Sequence, residues 1–163
     1  TTLFRSARVL RLLPGPGAAI AERRGHERHD DRGALRWVGL ALGGGGLVME
    51  VVADAQLAAW KRVAAHRGRV CDVGLWRWSR HPNYFGEWCV WLGYATYALA
   101  YPWGAIAFVG PAIILASIWK VTGIPATEAQ ALRSRGDAYR RYQATTSAFV
   151  PWPPRRAPGV EVP

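Results

Sequence analysis

The chain has 163 residues, half of them apolar, with nine tryptophans and a formal net charge of +10. That length allows one domain, and a mean hydropathy near zero conceals strongly basic segments that alternate with strongly apolar ones. The charge invites a nucleic-acid reading, which the patchy placement of Arg and Lys between apolar runs excludes; Cys71 and Cys89, in unlike surroundings with no C-x-x-C, exclude a disulfide framework or a zinc site.

Taken in chain order, residues 1–33 mix Arg23, Arg24, Arg28 and Arg32 with Glu22, Glu27, Asp30 and Asp31, without clean periodicity and without signal-peptide architecture. The opening Thr1-Thr2-Leu3-Phe4-Arg5-Ser6 looks like the conceptual translation of a sequencing adaptor. Residues 1–33 are expected to be a disordered or partly non-native segment, and the chain to be a fragment of a longer protein.

From Leu35 to about Val52 the sequence is apolar and includes Gly43-Gly44-Gly45-Gly46. Four glycines make a poor helix interior in water, but in lipid small residues let helices approach closely and every backbone group must be bonded within the chain. The stretch reads as a membrane span, with a buried core helix of a soluble protein as the alternative. Glu50 and Asp54, four apart, share one helix face. An ionised group at bilayer depth costs on the order of 3 kcal/mol, so Glu50 should face a polar cavity or a partner. Lys61 returns to the face of Asp54 two turns later. The simpler use of the two acids is a salt bridge to Arg77 or Arg80.

The basic loop that follows ends in GLWRWSRHPNYFGE, residues 74–87. Pro82 suits the first turn of a helix, whose free N–H groups and positive dipole end face back toward Arg80 and His81. A cationic pair there can hold a phosphate, or simply anchor lipid headgroups. Asn83 can donate and accept, Tyr84 can stack or hydrogen-bond, and Glu87 lies one turn deeper. With Glu50 and Asp54 on the neighbouring helix, these residues outline a polar pocket beneath a cationic rim.

From Trp88 to Trp119 the sequence carries no charge over 32 positions, and Tyr101-Pro102-Trp103 divides it. Each half gives roughly 26–30 Å of helix, enough to cross a bilayer core, with aromatics at the tip of the hairpin and a kink expected at Pro111. Lys61, Arg62, Arg67, Arg69, Arg77 and Arg80 before the hairpin, and Arg133, Arg135, Arg140, Arg141, Arg155 and Arg156 after it, contrast with an uncharged tip. The positive-inside rule makes the basic loop and tail cytoplasmic. The tail segment 123–142 places Leu132, Tyr139 and Tyr142 on one face and reads as one amphipathic helix on the membrane surface. Its Glu128 either caps that helix or points into the pocket. The expected fold is all-α: an integral membrane bundle of about three spans plus a C-terminal interfacial helix.

The Glu50/Asp54 helix, GLWRWSRHPNYFGE, GIPATE and GDAYRRYQATTSAFVPWPP, in that order, resemble the C-terminal half of the steroid 5-alpha-reductase-like membrane proteins, in particular a bacterial group once labelled a domain of unknown function. Residues 34–163 would then be the cofactor-binding half of a membrane reductase. The resemblance implies NADPH held from the cytoplasmic side of a bacterial inner membrane by Glu50, Asp54, Lys61, Asn83, Tyr84 and Glu87, with Arg80 and His81 at the rim and Glu128 matching more loosely. It implies reduction of a C=C bond conjugated to a carbonyl in a hydrophobic, lipid or steroid-like substrate that enters from the bilayer. Lys61 stands where the animal enzymes carry Arg and lacks its planar fork. The family's catalytic carboxylate and tyrosine come from N-terminal helices not present in this sequence. The motif is shared with isoprenylcysteine carboxyl and phospholipid methyltransferases, so an S-adenosylmethionine-dependent methyltransferase is the second expectation. A non-enzymatic membrane or basic surface-binding protein is the third.

Overall fold

The computed structural model describes residues 16–121 and 123–155, with side chains from residue 31 onward. A single long helix, α1 (Pro16–Arg62), leads into a basic loop containing short 3₁₀ turns. Then come α2 (Pro82–Ala98), a 3₁₀ turn at Gly104–Phe108 that runs into α3 (Val109–Lys120), and the short helices α4 (Ile124–Arg135) and α5 (Asp137–Thr145). Among the described residues there is no strand, only one isolated bridge between Ser79 and Ser147.

Among the described residues, two stretches, Asp31–Arg62 and Gly104–Arg135, are long and apolar enough to cross a membrane. α1 runs well past the apolar Leu35–Val52 stretch at both ends. Residues 16–33, within the N-terminal segment expected to be disordered or partly non-native, form the first part of α1. The adaptor-like residues 1–6 lie outside the described residues.

α1 and α2 pack antiparallel along a seam of glycines. A Cβ on Gly93 would lie 2.5 Å from the Gly43 nitrogen, one on Gly46 would lie 2.6 Å from the Gly86 oxygen, and one on Gly39 would lie 2.6 Å from the Tyr97 nitrogen. Real Cβ atoms do not fit at such distances, so backbone meets backbone, as small residues permit between helices. Gly44 and Gly45, by contrast, have nothing within 4 Å of a Cβ and lie outside the seam. Large apolar side chains on α1, including Trp37, Leu40, Leu47, Val48 and Val51, are exposed.

The uncharged run breaks where Tyr101-Pro102-Trp103 predicts, with Trp103 in the left-handed region at φ 64°. Tyr101 lies under the Arg36 guanidinium, 5.0 Å from ring centroid to Cζ, which ties the hairpin tip to the early part of α1. Pro111 makes no kink inside a helix. It sits in the first turn of α3, where a missing N–H is tolerated, and its carbonyl accepts from Trp88 Nε1 at 3.2 Å.

The single interfacial helix expected over 123–142 is two helices. Gly136, at φ 50° and ψ −123°, separates α4 from α5, a backbone state that L side chains rarely adopt. The bend turns Tyr139 and Tyr142 into a buried cluster with Ala131, against Val70 and Leu132, rather than along a membrane surface. Residues 146–155 then run back as a strap. Arg80 N donates to Ser147 O at 2.8 Å, and Trp152 N to Trp78 O at 2.9 Å. Phe149 is buried among Ile118, Ile124, Phe85 and Trp88.

Candidate functional site

The motif at residues 74–87 is fixed by fully buried Ser79. Its Oγ donates to Phe149 O at 2.7 Å and accepts from His81 N at 3.1 Å. Tyr142 Oη donates to the carbonyl of Trp76 and, at 3.3 Å, to that of Ser79. Burial pushes the Tyr142 phenol well above its ordinary range, so it remains a donor. These bonds hold the loop against α5 and set the direction in which Arg80 and His81 leave it.

That direction is inward. Arg80 Nε lies 2.7 Å from Glu128 Oε1, and its Nη1 donates to Gln143 O at 2.9 Å and to Thr146 O at 3.2 Å. His81 Nε2 is 3.3 Å from the same Glu128 oxygen, while Gln143 Nε2 donates to Glu128 Oε2 at 2.7 Å. His81 is only 4% exposed and stacks on Tyr84, with centroids 5.3 Å apart and planes 4° from parallel. The cationic pair expected to hold a phosphate thus already holds an anion of its own chain. Glu128 is neither a helix cap nor a free carboxylate.

On the other side of α2 the acids converge. Asn83 Nδ2 donates to Asp54 Oδ1 at 3.0 Å. The carboxylates of Glu87 and Asp54 lie close enough to Glu50 for their charges to act on it. Gly86 allows this approach, since a Cβ there would lie 2.8 Å from the Glu50 nitrogen. Among the described residues no ion pair ties Glu50 or Asp54 to Arg77 or Arg80.

Between these two clusters lies a cavity of about 460 Å³, within the usual range of ligand pockets. Of the expected site residues, Lys61, Arg80, His81, Asn83 and Tyr84 line it. Asp54 reaches it through Asn83, and Glu128 through Arg80 and His81. Glu50 and Glu87 do not line the cavity.

Sequence reasoning missed Arg69, Arg135 and Gln143. Arg69 and Arg135 line the cavity, with Arg135 Nε donating to Arg69 O at 3.0 Å. Neither they nor Lys61 makes an ion pair among the described residues. Arg135 stands just before the helix-breaking Gly136, the one signal that it would be redirected. Arg69 had no local signal. Cys71 also lines the cavity, and burial pushes its thiol upward, so it is neutral there.

Fold and site together define an all-α protein with apolar, membrane-length helices and a basic-lined cavity where the long helix meets a loop. The family model described as a protein of unknown function, DUF1295, matches residues 18–146. The chain belongs to that family, which is related to the steroid 5-alpha-reductase-like proteins. Searches of curated proteins and of solved structures give no match.

Proposed function

We propose that the protein is an integral membrane oxidoreductase that binds NADPH in the cavity at the cytoplasmic end of three spans, for reduction of a conjugated C=C bond in a lipid-soluble substrate. The spans are the apolar part of α1, then α2, then the 3₁₀ turn with α3. In this reading the basic loop and tail face the cytoplasm and the hairpin tip faces outward.

The observation that carries the proposal is the donor set of the cavity. Lys61, Arg69 and Arg135 bring to the cavity lining three cations that make no ion pair among the described residues, as a polyphosphate requires. The same cavity is lined by Asn83, whose amide is oriented by Asp54, and by Tyr84, backed by the His81 ring. A nucleotide's hydroxyl and amide groups need such polar side chains, and its flat rings need such an aromatic face. Neutral Cys71 and the apolar Leu57 and Val70 also line it. When bound, NADPH would supply a hydride, and the chain's residues would bind and orient it and limit the access of water. Arg80 and Glu128 serve this reading indirectly, by fixing His81 and through it Tyr84.

S-adenosylmethionine is the competing ligand, since acid-oriented amides also suit ribose hydroxyls. Titration calorimetry of the full chain in phosphatidylcholine nanodiscs separates the two. Saturable NADPH binding that is lost in Asn83→Ala supports the reductase. Binding of S-adenosylmethionine alone would establish the methyltransferase, and binding of neither would remove the nucleotide site.

A further inference from the structure

Beside the first cavity, and sharing Trp60, Arg69, Val70 and Tyr142 with it, lies a second and larger groove, about 720 Å³ in volume, between the basic loop and α5. Arg69, Arg77 and Arg141 line it with one acid, Asp72, and with Trp60 and Tyr142. Arg77 and Arg141 do not line the cofactor cavity, and neither makes an ion pair among the described residues. Three arginines against one carboxylate leave an excess of positive charge in a concave surface; Arg69 is shared with the cofactor cavity, while Arg77 and Arg141 are not used by the nucleotide reading.

We infer that this groove binds the headgroup of an acidic phospholipid. Three features favour lipid over a free phosphate. Trp60 belongs to the last turns of α1, so the groove lies at the end of a helix apolar enough to span a bilayer. Val73 and Trp78, the neighbours of Asp72 and Arg77, are exposed apolar side chains, poorly suited to water but suited to the acyl–headgroup boundary. Basic pockets at the cytoplasmic ends of spanning helices meet anionic headgroups at high local concentration, and each cation near such a surface strengthens the attraction. Arg forks also bind phosphate oxygens in pairs.

The inference rests on the membrane reading, and Arg77 and Arg141, which do not line the cofactor cavity, separate it from the nucleotide reading. The full chain is placed in nanodiscs of phosphatidylcholine mixed with phosphatidylglycerol and extracted with detergent, and the retained lipid is weighed by mass spectrometry. The expected result is preferential retention of phosphatidylglycerol that falls about thirtyfold in Arg77→Gln/Arg141→Gln, for two lost headgroup contacts, with NADPH binding unchanged. Raising the salt should release the lipid from the wild-type protein, which needs no variant to fold. The inference is overturned if retention ignores salt, or if it survives the double substitution. It is also overturned if Arg140→Gln, which alters an exposed arginine already paired with Asp137, lowers retention equally. Displacement of the lipid by inorganic phosphate alone would reassign the groove to free phosphate.

Discussion

Within four residues of one motif the chain makes two opposite uses of polar side chains. Arg80 and His81 turn inward and are satisfied by Glu128, Gln143 and the carbonyls of the strap. Asn83 and Tyr84, one turn into α2, face the cavity that Lys61, Arg69 and Arg135 line. A cation is therefore a poor guide to a ligand site until its partners are known. Arg80 is the most suggestive residue in the sequence, yet where it lines the cavity it is already paired with Glu128; Arg69 carries no sequence signal and lines the same cavity with no ion pair among the described residues.

The contrast yields graded expectations. The largest effect falls on both halves together, through the glycine seam that places α1 beside α2. Gly93→Leu puts a side chain into backbone 2.5 Å away, and folded protein should not be recovered on size-exclusion chromatography in detergent, whereas Gly44→Leu, with open space around it, should behave as wild type. Next is the inward half. Glu128→Ala leaves Arg80 buried without its partner and should cost about 3 kcal/mol, seen as a large drop in the midpoint of thermal unfolding.

Tyr142→Phe removes two hydrogen bonds to the motif loop and should cost about 1–2 kcal/mol. Because burial raises the phenol in the folded state, its contribution is complete below the ordinary tyrosine range and is lost as pH rises past it. Stability of the wild type should thus decline above about pH 10, and less steeply in Tyr142→Phe. The smallest structural effect belongs to the outward half. Lys61→Ala should leave the unfolding midpoint unchanged and weaken NADPH binding about tenfold, close to 1.4 kcal/mol. A large midpoint shift in Lys61→Ala, or none in Glu128→Ala, would erase the distinction between the halves.

Much of this arrangement was legible in the residues. Pro82 marks the start of α2, Tyr101-Pro102-Trp103 marks the hairpin, and the four-residue spacing of Glu50 and Asp54 foretells the acids that meet Glu87 and Asn83. Local chemistry decides those features, so a local pattern reveals them. The rest depends on contacts distant in sequence. Gly136 looked like a weak point in one helix and is the break between two, because the tyrosines beyond it gain more from burial beside Val70 than from continuing the helix. The strap at 146–155 has no periodicity and is held by backbone bonds to Arg80 and Trp78 some seventy residues earlier. Of the four central glycines, Gly43 and Gly46 meet α2 while Gly44 and Gly45 do not, a distinction that only the helix crossing supplies.

Hydrogen–deuterium exchange of the full chain in nanodiscs, with and without NADPH, tests the central claim most directly. The cofactor should slow exchange at Leu57–Lys61, Arg69–Cys71, Asn83–Tyr84 and Gln130–Arg135, which line one cavity, and leave the hairpin tip around Trp103 unchanged. Protection confined to the hairpin, or no protection at saturating NADPH, would contradict it.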